Sequence, residues 1–226
     1  MSAQRASANR LQVHRTARWW SLDPPQGVPV CGTLFVLHGY GQLAEYFIRK
    51  FQPHANLGWQ VIAPEGAHRF YLKGTEGRVG ASWMTKEERH SDVEDYVRFL
   101  DRIRLEIQPS TTSILLGFSQ GVATAIRWAT LGHGGGASWS GLIAHSGVIP
   151  PDLAAMNATL QTAPNLHLIT GSLDPYIRDE SARFDTAERA WLDAGGKPSN
   201  LIHHSFDGGH EIDPKTISDI LSTFDA

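Results

Sequence analysis

The sequence predicts an α/β fold with a mostly parallel central sheet that is covered by helices on both faces. Two features of the chain indicate it. Uniformly apolar segments, such as 33–38 and 113–117, are typical of strands that are buried on both sides. Segments with the periodicity of amphipathic helices, such as 91–107, alternate with these strands along the chain. Alternation of this kind is typical of parallel sheets, because each crossover between parallel strands requires a connecting helix.

Length and composition narrow the class of protein further. The 226 residues are enough for one substantial core and too few for two comfortable domains, so 1–226 is expected to form a single domain in which 1–10 are frayed. A net charge of −3 makes nucleic acid an improbable partner. The single cysteine, Cys31, excludes an internal disulfide and a cysteine-ligated metal cluster. We expect no cofactor and no membrane insertion, a cytoplasmic location, and either a monomer or a homodimer.

The first residues of the chain allow two interpretations. Residues 1–20 contain four arginines and no acidic residue, which is compatible with a transit peptide. They lack an apolar signal core, however, and residues 11–22 have the composition of an edge strand. We therefore favour an irregular start that is followed by strands at the edge of the sheet.

The first half of the chain predicts edge strands, then buried strands, then a long loop. The predicted elements are edge strands at 11–14 and 18–21, buried strands at 33–38 and 59–64, and a helix at 43–51. Residues 65–90 are rich in glycine and aromatic residues and show no clear period. Structureless loops of that length in compact domains are usually functional, so we expect this segment to contribute to a binding site.

The second half repeats strand and helix more regularly. A helix is predicted to open with a capping box formed by Ser91 and Glu94 and to end before Pro109. Near the C-terminus, Asp213 is predicted to cap a final helix. The remaining predicted elements are strands at 113–117, 140–147, 165–171 and 200–206 and helices after Ser119 and through 184–191.

The turn between the strand at 113–117 and its helix has the pattern Gly-x-Ser-x-Gly. Such a turn places the serine at a strained apex, from which the Ser119 hydroxyl projects above the sheet. Gly117 and Gly121 are required if strand and helix crowd together there. The N–H of Gln120 lies at the helix start, where a negative charge is favoured. The alternative is an ordinary strand–helix turn with two incidental glycines, but its context favours a nucleophile.

Other chemically capable side chains are predicted at the same edge of the sheet. In open parallel sheets, ligands bind beyond the carboxyl ends of the strands. The residues at or just after predicted strand ends are His38, Ser119, His145, Asp174 and His210. A nucleophile, an acid and a base therefore share one rim.

Asp174 is the preferred acid of this group. It follows a predicted strand and precedes Pro175, which cannot extend a sheet. Its expected role is to accept the Nδ1 proton of His210 and to stabilise the imidazolium. The alternative is an aspartate that merely caps a turn, and Asp179 and Asp207 are weaker rivals for the role.

His210 is the preferred base. The glycines at 208–209 give its loop the freedom to direct the ring toward the nucleophile. His203 and His204 lie within a predicted strand and point to opposite faces, so we expect structural roles for both and for His145. A zinc site built from these histidines lacks local ligand spacing, and no metal is expected.

The segment at 38–41 is predicted to complete an oxyanion hole. Its turn can direct the Tyr40 N–H toward the same point as the Gln120 N–H. Loss of one such donor typically costs about 3 kcal/mol of transition-state stabilisation. The ring of His38 is expected to bond to loop backbone and not to act in catalysis.

Several short motifs occur in an order that is informative as a set. They are the segments 37–41, 63–67, 81–83, 117–121, 146–150, 171–175 and 209–211. From Gly32 onward the chain resembles the small, lidless carboxylesterase and acyl-protein thioesterase branch of the α/β-hydrolase fold, the phospholipase/carboxylesterase family. The resemblance implies Ser119, Asp174 and His210 as the triad, with Tyr40 and Gln120 supplying the oxyanion amides.

The chain also departs from that family's pattern. A second glycine often follows the nucleophile motif, whereas this sequence has Val122. The stretch after Trp83, at 84–89, also differs from the family's pattern. These departures leave the mechanism untouched, but they leave the natural substrate open.

These features predict a serine hydrolase that cleaves carboxylic esters or thioesters through an acyl-serine intermediate. The segment 150–164 leaves no room for a large cap domain, so a shallow site for short to medium acyl chains is expected. The candidate walls of the acyl pocket are Phe70, Tyr71, Trp83 and Met84. The alternative for these four residues is simple packing of a long loop. Alternatives are a non-catalytic binding protein of the same fold, a peptidase, or a dienelactone-type hydrolase, which typically uses a cysteine nucleophile.

Overall fold

A computed structural model describes residues 8–156, 158, 160–176 and 180–224 of the chain. The strands of this part are β1 (Trp19–Leu22), β2 (Gly32–Leu37), β3 (Trp59–Pro64), β4 (His68–Tyr71), β5 (Val79–Ser82), β6 (Ser113–Phe118), β7 (Gly141–His145), β8 (Leu166–Gly171) and β9 (Leu201–Phe206). The helices are α1 (Ala44–Phe47), α2 (Gln52–Asn56), α3 (Arg89–Ile107), α4 (Gln120–Leu131), α5 (Glu180–Asp193) and α6 (Pro214–Leu221). Short 3-10 turns lie at Ile48–Phe51, Gly135–Ser138, Ala154–Met156, Pro198–Asn200 and Ser222–Phe224.

The central sheet has seven strands in the order β1-β3-β2-β6-β7-β8-β9. β1 is antiparallel to β3, and the other neighbours pair in parallel. The predicted α/β class with a mostly parallel sheet is therefore confirmed. Between β7 and β8, the described residues contain one 3-10 turn and no large cap domain.

Helices cover both faces of this sheet because the buried strands are apolar on both sides. In β2, Phe35 and Leu37 face a core that includes α3, α4 and α5. Leu34 and Val36 alternate with them and face a second core that includes α1, α2 and α6. Both sets of side chains are fully buried. The period of two explains why this strand has no polar face.

The parallel arrangement brings one set of strand ends to a single edge of the sheet. β2 and β6 are direct neighbours, and β8 and β9 pair on the other side of β7. His38 follows β2, Ser119 follows β6, 172–174 follow β8 and 207–213 follow β9. The candidate functional residues are thus positioned at the carboxyl edge, where parallel sheets bind ligands.

Two predictions about the N-terminal half were wrong. Residues 11–14 form no strand, and the side chains of Leu11 and Val13 are 87% and 78% exposed, because β1 alone occupies the edge beside β3. The helix predicted at 43–51 is short and continues as a 3-10 turn, and a second helix begins at Gln52 with Pro53 in its first turn. Proline is favoured in the first turn of a helix, where its missing N–H costs nothing. Residues 1–7 lie outside the described part of the chain.

The segment at 65–90, predicted as a loop, contains a β-hairpin. β4 and β5 pair antiparallel, and Gln42 bridges to Ala81 at its side. The capping box was also wrong, because α3 begins at Arg89, two residues before Ser91. The residue before α3, Glu88, adopts φ of 51°. The Ser91 hydroxyl reaches back to the Glu88 carboxylate, at 3.4 Å, and caps no backbone amide.

Candidate active site

The turn at Ser119 has the strained backbone that its sequence predicts. Ser119 has φ of 54° and ψ of −117° and lies between β6 and α4. A Cβ on Gly117 would collide with the carbonyl oxygen of Gly121, and a Cβ on Gly121 would collide with that of Leu37. The Ser119 N–H donates to the carbonyl oxygen of His145 at 2.9 Å, so the neighbouring strand holds the apex in place. Strain of this kind persists where the surrounding structure enforces it.

The structure brings the three predicted triad side chains into one line of hydrogen bonds. His210 Nε2 lies 3.0 Å from Ser119 Oγ, and His210 Nδ1 lies 2.8 Å from Asp174 Oδ2. An ionised carboxylate can only accept, so the Nδ1–H donates to it and Nε2 is left to accept the serine hydroxyl proton. The Asp174 side chain is buried, whereas the His210 side chain is 21% exposed and reachable from solvent.

Backbone contacts fix Asp174 at the end of β8. Its Oδ1 accepts the N–H of Tyr176 at 2.9 Å, which leaves Oδ2 for the imidazole. The N–H of Leu173 donates to the carbonyl of Gly208 at 2.9 Å and ties the acid's loop to the histidine's loop. The rival Asp207 does not make the bond to His210, and the other rival, Asp179, lies outside the described residues.

His145 supports the loop that carries the base. Its Nε2 accepts the backbone N–H of Asp213 at 3.0 Å, and its Nδ1 lies 3.1 Å from the Ser146 hydroxyl. Burial lowers the pKa of His145 to about 3, so the ring stays neutral and its Nε2 remains an acceptor. The structural role expected for this histidine is confirmed.

The turn after β2 leaves one amide free beside the nucleophile. A Cβ placed on Gly39 would lie 3.1 Å from Ser119 Cβ, so this turn touches the nucleophile directly. The Gly39 N–H donates to Gln42 Oε1 at 2.9 Å, the Gly41 N–H to a carbonyl of β5 at 2.8 Å, and the Gln42 N–H to the Gly39 carbonyl at 3.3 Å. Within the described residues, the N–H of Tyr40 has no such partner. Its role as an oxyanion donor stays a prediction.

Gln120 contributes a side chain as well as its predicted amide. As the first residue of α4, it carries an N–H at the positive end of the helix. Its side-chain Oε1 accepts the N–H of Trp83 at 3.2 Å, and its Nε2 donates to the carbonyl of Met84 at 3.0 Å. The side chain thus fixes the end of β5 against the nucleophile turn. Any residue satisfies the Gly-x-Ser-x-Gly pattern at position 120, so the motif did not predict the contacts of the Gln120 side chain.

The ring of His38 connects the turn at 38–41 to the loop after β3. Its Nδ1–H donates to the carbonyl of Gly39 at 2.8 Å, and its Nε2 accepts the N–H of Gly66 at 3.0 Å. Burial lowers its pKa to about 4, so the ring is neutral at physiological pH. The expected bond between this ring and loop backbone is confirmed.

A buried carboxylate of the motif segment 63–67, whose contacts the sequence analysis did not predict, lies near His38. Glu65 accepts Arg18 Nε at 2.7 Å, Arg69 Nη1 at 3.3 Å and the N–H of Ala44, at the start of α1, at 3.2 Å. Its side chain is 1% exposed. These bonds join β1, β4 and α1 around the loop that His38 contacts. Arg18 is 47 positions from Glu65 and Arg69 is four positions away in β4. The motif at 63–67 indicates neither contact.

The four predicted pocket walls occupy different surroundings. Trp83 is 1% exposed, stacks on His38 with centroids 4.9 Å apart, and donates its Nε1–H to the His38 carbonyl. This side chain packs in the core and does not form an open wall. Met84 is partly buried and packs against the same core. Phe70 lies 5.1 Å from the Tyr40 ring, and Tyr71 is 49% exposed, so contact of these two with substrate stays a prediction.

Tyr176 is an aromatic residue at the site that the sequence analysis did not select. Its ring centroid lies 4.7 Å from that of His210 at an interplanar angle of 65°, and its side chain is 77% exposed. A tyrosine two residues after the acid is unremarkable in sequence. The approach to His210 depends on the fold of the β8 and β9 loops.

The comparisons with known proteins agree with this geometry. A family model described as phospholipase/carboxylesterase matches residues 25–225. The chain belongs to the phospholipase/carboxylesterase family. A search of curated proteins found no match for this family member.

Solved structures share the fold of this phospholipase/carboxylesterase family member. Esterase PE8 and the acyl-protein thioesterase 2 of Zea mays are each 20% identical to it, with a TM-score of 0.68 and coverage of 93% of this chain and 100% of the other. The Bacillus cereus carboxylesterase is 17% identical, with a TM-score of 0.60 and coverage of 92% of this chain and 93% of the other. At 17–20% identity, these likenesses show that the chain shares the fold of an esterase, a thioesterase and a carboxylesterase.

Two searches of the described residues were negative. No group of three or more histidine, cysteine, aspartate or glutamate side chains is arranged to hold a metal ion. Among the same residues, no helix combines the length and apolar character needed to cross a bilayer.

Proposed function

We propose that this protein is a serine hydrolase that cleaves carboxylic esters or thioesters through a covalent acyl-serine intermediate. The observation that carries the proposal is the continuous hydrogen-bonded line from Asp174 through His210 to Ser119, with distances of 2.8 Å and 3.0 Å. A nucleophile activated by a base that is itself oriented by a carboxylate is the arrangement that acyl transfer requires.

In the first half of the reaction, the Ser119 oxygen attacks the acyl carbonyl while His210 Nε2 takes its proton. The carbonyl oxygen becomes an oxyanion, which the N–H groups of Tyr40 and Gln120 stabilise. Asp174 stabilises the imidazolium, which then gives its proton to the leaving alcohol or thiol. The carbon–oxygen or carbon–sulfur bond of the substrate breaks, and an acyl-serine ester remains.

In the second half, water replaces the alcohol or thiol. His210 takes a proton from the water as it attacks the acyl-serine, and the same two amides hold the second oxyanion. Collapse returns the proton to the Ser119 oxygen and releases a carboxylic acid. The His210 side chain is 21% exposed, which allows water to reach this step.

The lack of a large cap favours short to medium acyl chains, because little surface is available to enclose a long one. The family and fold neighbours include both esterases and a thioesterase, so both leaving groups are chemically open to this site. A panel of 4-nitrophenyl esters and matched thioesters of increasing acyl length would define the preference.

The decisive experiment replaces the nucleophile. Ser119→Ala should lower kcat for 4-nitrophenyl butyrate by 10³-fold or more, on the order seen when triad members are removed. Ser172→Ala, an exposed serine on the same rim, is the matched control and should retain activity. A fluorophosphonate should label the natural protein and not Ser119→Ala. Turnover of Ser119→Ala close to normal would refute the mechanism, and the absence of both turnover and labelling in the natural protein would favour a binding protein.

A further inference from the structure

A cavity of about 600 Å³ lies next to the turn at 38–41, between α1 and the β4–β5 hairpin. Gly41 and Gln42 form the wall that it shares with the turn, and Phe47 and Val79 are among its apolar walls. None of the four pocket walls predicted from the sequence lines this cavity. It is therefore a separate feature of the site, and its own residues must indicate what it binds.

Two cations face this cavity from opposite sides. Lys50 comes from the 3-10 turn after α1, and Arg78 comes from the start of β5. Neither side chain forms an ion pair with any described residue, and none of the lining residues is acidic. The neighbouring Arg49 differs, because it pairs with Glu45 at 3.3 Å. The cavity thus concentrates unneutralised positive charge in a chain whose net charge is −3.

The wall of the cavity begins two residues along the chain from Gly39, the residue beside Ser119. Gly39 touches Ser119, and Gly41 follows two residues later. Two residues span at most about 7 Å, so the near wall lies on the order of 10 Å from the reacting carbonyl. A ligand of several carbons attached to that carbonyl can cover such a distance. Apolar walls suit its chain, and the two cations suit an anionic end.

We propose that this cavity binds the carboxylate end of the substrate, so that the preferred substrates are esters or thioesters with a free carboxylate remote from the scissile bond. The inference rests on the proposed function and specifies its substrate class. Lys50 and Arg78 would bind the carboxylate, and Phe47 and Val79 would contact the intervening carbons. The positive charge would also raise the rate of encounter with such anions.

The test compares charged and neutral esters of equal length. Mono-4-nitrophenyl adipate is paired with 4-nitrophenyl hexanoate, which places the charge on the acyl side. 4-Acetoxybenzoate is paired with 4-methylphenyl acetate, which places the charge on the leaving-group side. The pair that shows the preference identifies which part of the substrate enters the cavity. Both neutral esters also report whether the enzyme turns over at all, independently of the charge preference.

The variants are Lys50→Gln, Arg78→Gln and the double variant. Lys73→Gln is the matched control, because Lys73 is an exposed cation of the same hairpin that does not line the cavity. The double variant should lose about tenfold in kcat/KM for one charged ester, chiefly through KM, and change less than twofold for its neutral partner. Sodium chloride at 0.5 M should reduce the preference of the natural protein similarly.

Each result has a defined meaning. Equal kcat/KM for charged and neutral esters in the natural protein, or an unchanged ratio in the double variant, would overturn the inference and leave the hydrolase mechanism intact. Noncompetitive inhibition by free adipate with an unchanged ratio would place the anion outside the substrate's path and also overturn it. If the natural protein does not hydrolyse the neutral esters, that result would instead count against the proposed function.

Discussion

His145 Nε2 accepts the backbone N–H of Asp213 at 3.0 Å, three residues after His210, the proposed base. Asp213 in turn caps α6, because its side chain accepts the N–H groups of Lys215 and Thr216. The buried imidazole therefore connects the centre of the sheet to the start of the last helix. The loop that carries His210 is held at β9 on one side and at this bond on the other.

Replacing His145 should impair the geometry of the base. His145→Phe keeps an aromatic ring but leaves the Asp213 N–H without its acceptor, which typically costs about 1–3 kcal/mol of unfolding free energy. A small displacement of His210 should lower kcat by roughly 10- to 100-fold with little change in KM. Urea unfolding and ester kinetics measure the two effects. His203→Phe, at an exposed position of β9, is the control, and equal behaviour of the two variants would contradict the prediction.

Stability should fall as the pH decreases below neutrality. Burial lowers the pKa of His38 to about 4, that of His145 to about 3 and that of His167 to about 4. In the unfolded chain these histidines have pKa values near 6.5. As the pH falls below that value, they bind protons in the unfolded chain before they do so in the folded one. This contribution is therefore fully present above about pH 6.5 and is lost as the pH falls toward the folded values. We expect about 1–2 kcal/mol per buried ring between pH 7.5 and pH 5.

Urea titrations at several pH values test this dependence. The midpoint should decrease steadily from pH 7.5 to pH 5, and His167→Gln should make the decrease shallower. A midpoint that is constant over this range would exclude the buried rings as the cause.

The glycines of the nucleophile turn should tolerate no side chain. Gly121→Ala would push a Cβ into the carbonyl oxygen of Leu37, which is backbone of a central strand and cannot move easily. We expect a loss of about 3 kcal/mol or more, or failure to fold, by the mechanism of overpacking. At Gly27, φ is 88° but nothing lies within 4 Å, so Gly27→Ala measures the cost of backbone strain alone. Similar stability of the two variants, by thermal unfolding, would contradict the collision.

Tyr176 should affect activity through its ring and not through its hydroxyl. Contacts between aromatic rings contribute about 0.5–1.5 kcal/mol, so Tyr176→Ala should lower kcat/KM by roughly 2- to 10-fold. Tyr176→Phe keeps the contact with His210 and should behave like the natural protein. The backbone bond from residue 176 to Asp174 is retained in both variants. Equal losses in the two variants would show that the ring contact is not the cause.

Much of the fold could be predicted because its signals are local. Continuous apolar segments indicate the buried strands. The two glycines that flank Ser119 indicate the sharp turn. Asp213 is followed by Pro214, and this pair predicted the start of α6, where the cap bonds are found. In each case the physical requirement lies within a few residues of the signal.

The remaining features depend on contacts between distant segments. Glu65 is held by Arg18, which is 47 positions away, and no pattern within either segment indicates the pair. The hairpin of β4 and β5 was hidden because its alternation covers four residues per strand and is interrupted by glycines. Ser91 resembled a helix cap, but the left-handed backbone of Glu88 starts the helix earlier. Tertiary context decided each of these.

The bond between Arg18 and Glu65 connects the outermost strand of the sheet with the chemistry at its centre. The Arg18 carbonyl also accepts the Glu65 N–H, so two hydrogen bonds connect Glu65 to the residue directly before β1. Removing the chain through the end of β1 would expose the edge of β3. It would also remove Arg18 and leave the buried Glu65 carboxylate, near His38, with one cationic partner fewer.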